Sequence, residues 1–215
     1  MLNTPPNHPL EDVDIVGLAI KRINEGQNHV GVLYKSDVDG LMMCHLAWHF
    51  DLRFDPPNDT YRWIDLDPLD EMNKKALAAF FQTLKEEGAD VPYGFKVSGE
   101  CFDEDGRFVP LPPGEGLTCA TFVVAALRSQ GHELITETTW PARAAEDAAW
   151  QAHILAHLQL SPGVTQAHLD AIAADVGATR IKPEEVVAAG LRDDWPSSYA
   201  DIEQMAQAIL AELAA

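Results

Sequence analysis

Three features of the chain predict an α+β fold. A run of β-rich segments lies between two segments with helical periodicity. From Trp140 onward alanine becomes abundant and every periodic segment reads as helix. Turn clusters short enough for hairpins separate the β-rich runs, which makes the sheet antiparallel. The expected architecture is a small antiparallel sheet packed on helices, with a helical C-terminal appendage. Residues 1–10 form a flexible arm (two adjacent prolines, no apolar period), residues 11–139 the core, and residues 140–215 a helical C-terminal subdomain.

The elements follow in order. Ile15, Leu18, Ala19, Arg22 and Ile23 recur at helical spacing, and Gly26 stands where a C-cap would, so residues 10–24 predict a helix. His29-Val30-Gly31-Val32-Leu33-Tyr34 is β-rich, Ser36–Gly40 is a turn cluster, and Leu41–His49 is a second apolar run. Residues 29–49 therefore read as a β-hairpin, and Tyr61–Leu66 as a third strand. Asp70–Glu87 predicts a helix closed by Gly88. The aromatic, Gly- and Pro-rich stretch 91–113 predicts a loop with a short hairpin at Asp105-Gly106. Thr118–Gln130 is a strongly apolar helix ended by Gly131. Further helices are expected near 142–158, 165–175, 183–189 and 198–213, the third opened by Pro183-Glu184-Glu185.

Composition narrows the function classes. The chain has 215 residues, 47% of them hydrophobic, and a formal net charge of −19 from 15 basic and 34 acidic side chains. That field repels a phosphate polymer, so no nucleic-acid partner is expected. No stretch approaches 18 uncharged apolar residues, and the N-terminus lacks a basic region followed by an apolar run. A cytoplasmic protein without a membrane anchor is expected. Three cysteines cannot all pair within the chain, so free thiols are expected. The acidity favours a cationic or neutral substrate, although net charge does not fix the sign of the field at a cleft.

Cys119 stands at the start of an apolar helix. A helix's first turn offers unpaired N–H groups and about half a positive charge, which lowers a thiol's pKa and can hold an oxyanion. Cys44 and Cys101 lie in strand-like runs without that feature. A cysteine nucleophile also needs a base. If the loop between the hairpin strands is odd, His29 and His45 share a sheet face. Pairing Lys35 with Leu41 sets Gly31 opposite His45, and His29 becomes its diagonal neighbour. One imidazole then takes the thiol proton and the other orients it.

The order of these pieces resembles the circularly permuted papain-like hydrolases. These are permuted relatives of the NlpC-type peptidases that include the YiiX-like bacterial proteins and the lecithin:retinol acyltransferase group. The matching residues are His29–Tyr34, His45-Leu46-Ala47 after the turn, and Thr118–Val123. Tyr93-Gly94-Phe95 is similar to the family's aromatic approach to its site. The likeness covers roughly residues 10–135 and implies a permuted papain-like core. It also implies Cys119 as nucleophile, His29 as base and His45 as orienting residue. Ala120 departs from the polar residue usual after the cysteine, so no side-chain oxyanion donor is available there.

The implied activity is a cysteine peptidase or amidase working through a thioester on a peptide, amide or acyl substrate. An acyltransferase and a non-catalytic binding module of the same fold are the alternatives. Tyr93 and Trp48 are candidate substrate-binding aromatics. Cys44, His45 and His49 could be read as a metal cluster, but no Cys-x-x-Cys supports it, and neither metal nor cofactor is expected. His49 is the reserve for the third catalytic position. Asp37-Val38-Asp39-Gly40 resembles part of a calcium loop but lacks its closing Glu, so a hairpin turn explains it.

Overall fold

The computed structural model describes residues 1–215 except Ser98 and Glu104. It is α+β, with one antiparallel sheet of five strands. The strands are β1 (Val16–Asn24), β2 (Gln27–Ser36), β3 (Gly40–Trp48), β4 (Asp51–Asp55) and β5 (Arg62–Asp65), in spatial order β4-β3-β2-β1-β5. Six helices follow: α1 (Glu71–Glu87), α2 (Cys119–Ser129), α3 (Ala144–Leu158), α4 (Gln166–Ala174), α5 (Pro183–Gly190) and α6 (Tyr199–Ala214).

Residues 16–24 are a strand, not the second half of a helix. Val16–Ile20 is buried on both faces of β1, which lies inside the sheet between β2 and β5. A short run buried on both sides carries no period that separates strand from helix. Gly26, with φ of 80°, is the turn residue of the β1–β2 hairpin rather than a helix cap. The second hairpin has the expected register: Lys35 pairs with Leu41, and only residues 37–39 lie outside the ladder. Ser36 Oγ accepts from the Val38 and Asp39 N–H groups, which explains the Asp-x-Asp-Gly sequence as a turn.

Each sheet face is covered. Leu18, Ile20, Val30, Val32, Tyr34, Cys44 and Leu46 belong to the main core with α1, α2 and α5. Ala19, Leu33, Met43 and Trp63 form a second cluster with Leu10, Val13 and Tyr61. Residues 1–10 are docked rather than a free arm. Asn3 bridges to Trp63, Leu2 is buried, and the Leu2 N–H donates to Glu212. The C-terminal helices do not stand apart either. Every residue of α5 is buried, and α5 packs on β1, β2 and α2. Among the described residues no helix is long and apolar enough to cross a membrane.

Candidate active site around Cys119

Local sequence fixes the start of α2. Thr118 is the N-cap: its hydroxyl accepts from the Thr121 N–H at 3.2 Å, and Thr121 Oγ1 accepts from the Thr118 N–H at 2.8 Å. This reciprocal box leaves Cys119 as the first helical residue. Thr118→Ala should cost about 1 kcal/mol, read as a lower urea midpoint at unchanged slope. The segment ahead of α2 is pinned by close backbone contact. Tyr93 bridges in parallel to Leu117, and the Leu117 N–H donates to Pro92 O at 2.9 Å. A Cβ on Gly94 would sit 2.7 Å from Gly116 N, so glycine is required for that approach. The result sets Tyr93 beside the cysteine.

A cavity of about 40 Å³ collects the site, and its lining includes His29, Trp48, Tyr93, Cys119, Trp150 and Arg180. Trp48 and Tyr93 pack ring on ring at 4.8 Å, and Trp48 Nε1 donates to Ser161 Oγ. Both candidate aromatics therefore wall the cysteine cavity. Trp150, Arg180, Ile181 and Pro183 come from the C-terminal region, so that region closes part of the site.

His29 and His45 meet as the register requires. His29 Nε2 lies 2.8 Å from His45 Nδ1, with the rings edge to face. Gly31 makes room between them: a Cβ there would stand 2.8 Å from His45 Cβ. Beyond His45 lies Asp55, whose Oδ2 is 3.6 Å from His45 Nε2. Met43 pairs with Asp55 and His45 with Arg53, so Asp55 is the diagonal neighbour of His45 on β4.

Asp55, 3.6 Å from His45 Nε2, favours one tautomer of each ring. A carboxylate facing His45 Nε2 calls for N–H there. A neutral His45 then has a bare Nδ1, which accepts from His29 Nε2–H. His29 Nδ1 is left as an acceptor, and among the described residues it carries no hydrogen bond. The chain Asp55–His45–His29 thus presents a lone pair on a residue that lines the cysteine cavity.

Burial dominates the electrostatics. It pushes His29 down to about 3, with His45, Lys21 and Arg53 adding to the effect. It also lowers His45, opposed by Asp55. Both rings are neutral at neutral pH. The expected depressed thiol pKa is overturned. Burial raises Cys119 and outweighs the lowering from the Val30 N–H, Arg180 and the first N–H groups of α2. The resting pair is therefore thiol and imidazole rather than thiolate and imidazolium. All three cysteines are free and buried. Cys44 is a core residue of β3 pushed well up. Cys101, expected in a strand, lies in the loop between α1 and α2 and is pushed to about 11.

His49 does not join the site. A register shift between Leu46 and Trp48 ends the regular ladder, and His49 falls just outside β3. Its Nδ1 accepts from the Tyr93 N–H at 3.1 Å, and its ring lies 4.9 Å from that of His168. His45 alone of the two reaches His29.

Set against protein-family models, curated proteins and solved structures, the chain matches none.

The geometry includes three residues that sequence reasoning passed over. Asp55 was within reach, because the diagonal rule that joins His29 to His45 also joins Asp55 to His45 once β4 is recognised. Arg180 and Trp150 carry no local signal. Only the tertiary packing of the C-terminal region brings them to Cys119.

Proposed function

We propose that this chain is a cysteine hydrolase, a peptidase or amidase, that cleaves an amide or ester through a thioester on Cys119. The observation that carries this reading is the 2.8 Å His29–His45 bond, which leaves a bare imidazole nitrogen on a residue lining the same cavity as a cysteine at a helix start. His29 Nδ1 takes the Sγ proton as sulfur attacks the carbonyl carbon. The Cys119 and Ala120 N–H groups face the developing oxyanion, which suits a site with no polar side chain at position 120. As the carbon–nitrogen bond breaks, His29 returns the proton to the leaving amine. It then deprotonates a water that opens the thioester, giving a carboxylate and the free thiol. His45 and Asp55 hold His29 in the required tautomer. No cofactor enters this sequence. The order of the strands, helix and catalytic residues suits the permuted papain-like scaffold, and Tyr93 and Trp48 are placed to contact the bound substrate.

The test is covalent capture. Folded protein incubated with activated peptide and acyl esters should gain the acyl mass on Cys119, hydroxylamine should remove it, and Cys119→Ala should gain none. Discharge to amines in preference to water would convert the reading to an acyltransferase. No adduct from either ester class in folded protein would overturn the enzyme and leave a binding module.

A further inference from the structure

Arg180 carries a charge that Glu184 and Asp147 answer only at a distance. The residue is only 9% exposed, yet its guanidinium makes no hydrogen bond or ion pair among the described residues. It lies over the Trp150 ring, with Cζ 3.7 Å from the centroid. The nearby carboxylates act on it without touching it. Asp147 receives the Arg180 backbone N–H and pairs with Arg143, and Glu184 accepts from Asn28 Nδ2 at 2.9 Å. Its five donors are unused by side chains, and the residue lines two cavities, so an anion in either can meet them.

Its position says where that anion comes from. Arg180 lines the cavity that holds Cys119, and it also lines an adjoining cavity of about 250 Å³. The second cavity shares Asn28 with the first and is walled by Arg22 and Lys182 as well as by Glu146 and Glu184. Lys182 is paired with Glu146, and Arg22 donates to the Asn24 carbonyl. Arg180 is thus the cation that lines both cavities with no carboxylate in contact among the described residues. Stacking on Trp150 holds the planar fork in one orientation, which suits two parallel hydrogen bonds to a carboxylate.

We propose that Arg180 is a substrate-binding residue that holds a carboxylate carried next to the scissile carbonyl. The preferred substrates are then acidic amides or esters, such as a peptide with a free carboxylate beside the cleaved bond, despite the protein's own net charge of −19. This inference rests on the thioester reading for the identity of the scissile carbonyl, but the carboxylate site can be tested apart from it.

Two measurements do so. The first compares alkylation of Cys119 by iodoacetate and by neutral iodoacetamide, read by site-resolved mass spectrometry. In each reaction sulfur bonds to the methylene carbon and iodide leaves. The rate ratio of iodoacetate to iodoacetamide should fall by about tenfold or more in Arg180→Met, stay partly elevated in Arg180→Lys, and drop with salt in the parent protein. An unchanged ratio, including equal loss with both reagents, would overturn the proposal and assign Arg180 to the thiolate or oxyanion.

The second measurement needs no reactive cysteine. In Cys119→Ala protein, N-acetylalanine should raise the Tm and N-acetylalaninamide should not, and Arg180→Met should abolish the difference. Equal effects of the two compounds would overturn the proposal. A carboxylate preference without any thioester would defeat the hydrolase reading alone, and a thioester without the preference would defeat this inference alone.

Discussion

His29→Ala lowers thioester formation on Cys119 by about 10²–10⁴ at neutral pH, the usual range for loss of a positioned general base. The size follows from the resting state. Burial raises the Cys119 thiol and holds His29 near 3, so there is no preformed thiolate for the variant to retain. Proton transfer must accompany attack, and without the imidazole it falls to water. Stopped-flow acylation by an activated peptide ester measures the effect. The His29→Ala rate should climb steeply with pH as hydroxide replaces the base, and should approach the parent rate only in alkali. The parent rate should be flat from about pH 5 to 8, because His29 is already neutral across that range; a parent rate that climbs through it would contradict a base held near 3. Asp55→Asn should produce a smaller loss than His29→Ala, because it removes only the group that sets the tautomer of His45.

Acidification alone should destabilise the fold strongly, well before its carboxylates titrate. His29 and His49 are held at about 3 and about 4 in the folded chain, in each case chiefly by burial. In the unfolded chain each returns to about 6.5. Their folded values are depressed, so below about pH 6.5 the unfolded state binds more protons. Stability is complete above that pH and is lost as pH falls toward the folded values. At about pH 5 protonation of His29 costs roughly 2 kcal/mol, and His49 adds a smaller loss in the same direction, together a substantial part of a domain's stability. Urea midpoints measured from about pH 7.5 to 5 should fall steeply for the parent. They should fall much less for a His29→Gln/His49→Gln variant, which has nothing to protonate at those sites. Equal slopes in the two proteins would show that the imidazoles are not held neutral.

The parts of the fold that were legible in the residues are those with a visible period or a visible stop. α1 runs from the Asp70 cap to Gly88, α2 follows the Thr118 box, and the β2–β3 register follows from a turn of odd length. Parity in that hairpin was enough to bring His29 to His45. β1 was illegible because its buried core, Val16–Ile20, is apolar on both faces. β4 was illegible for the opposite reason. Asp51, Arg53 and Asp55 make it polar, and its entry is a sharp turn at Phe50 with φ of 55°. Missing β4 meant missing Asp55. The thiol's pKa was misread because helix position is local, whereas burial is a property of the whole packed chain. Arg180 is 61 residues beyond Cys119 (180 − 119), and no spacing rule joins the two.

The complete burial of α5 dictates how this chain must be assembled. Gly190 lies against Leu18, Ile64 and Leu66, so near that a Cβ would come within 3.0–3.2 Å of their side chains. Those three side chains precede α5, and their cover leaves the ribosome more than a hundred residues after Leu66. Until then α1 and α2 can cover part of that side of the sheet, while the part over Leu18, Ile64 and Leu66 stays wet. Synthesis therefore yields no early self-sufficient unit. That part of the sheet must wait, exposed to other nascent chains, until α5 arrives to close it.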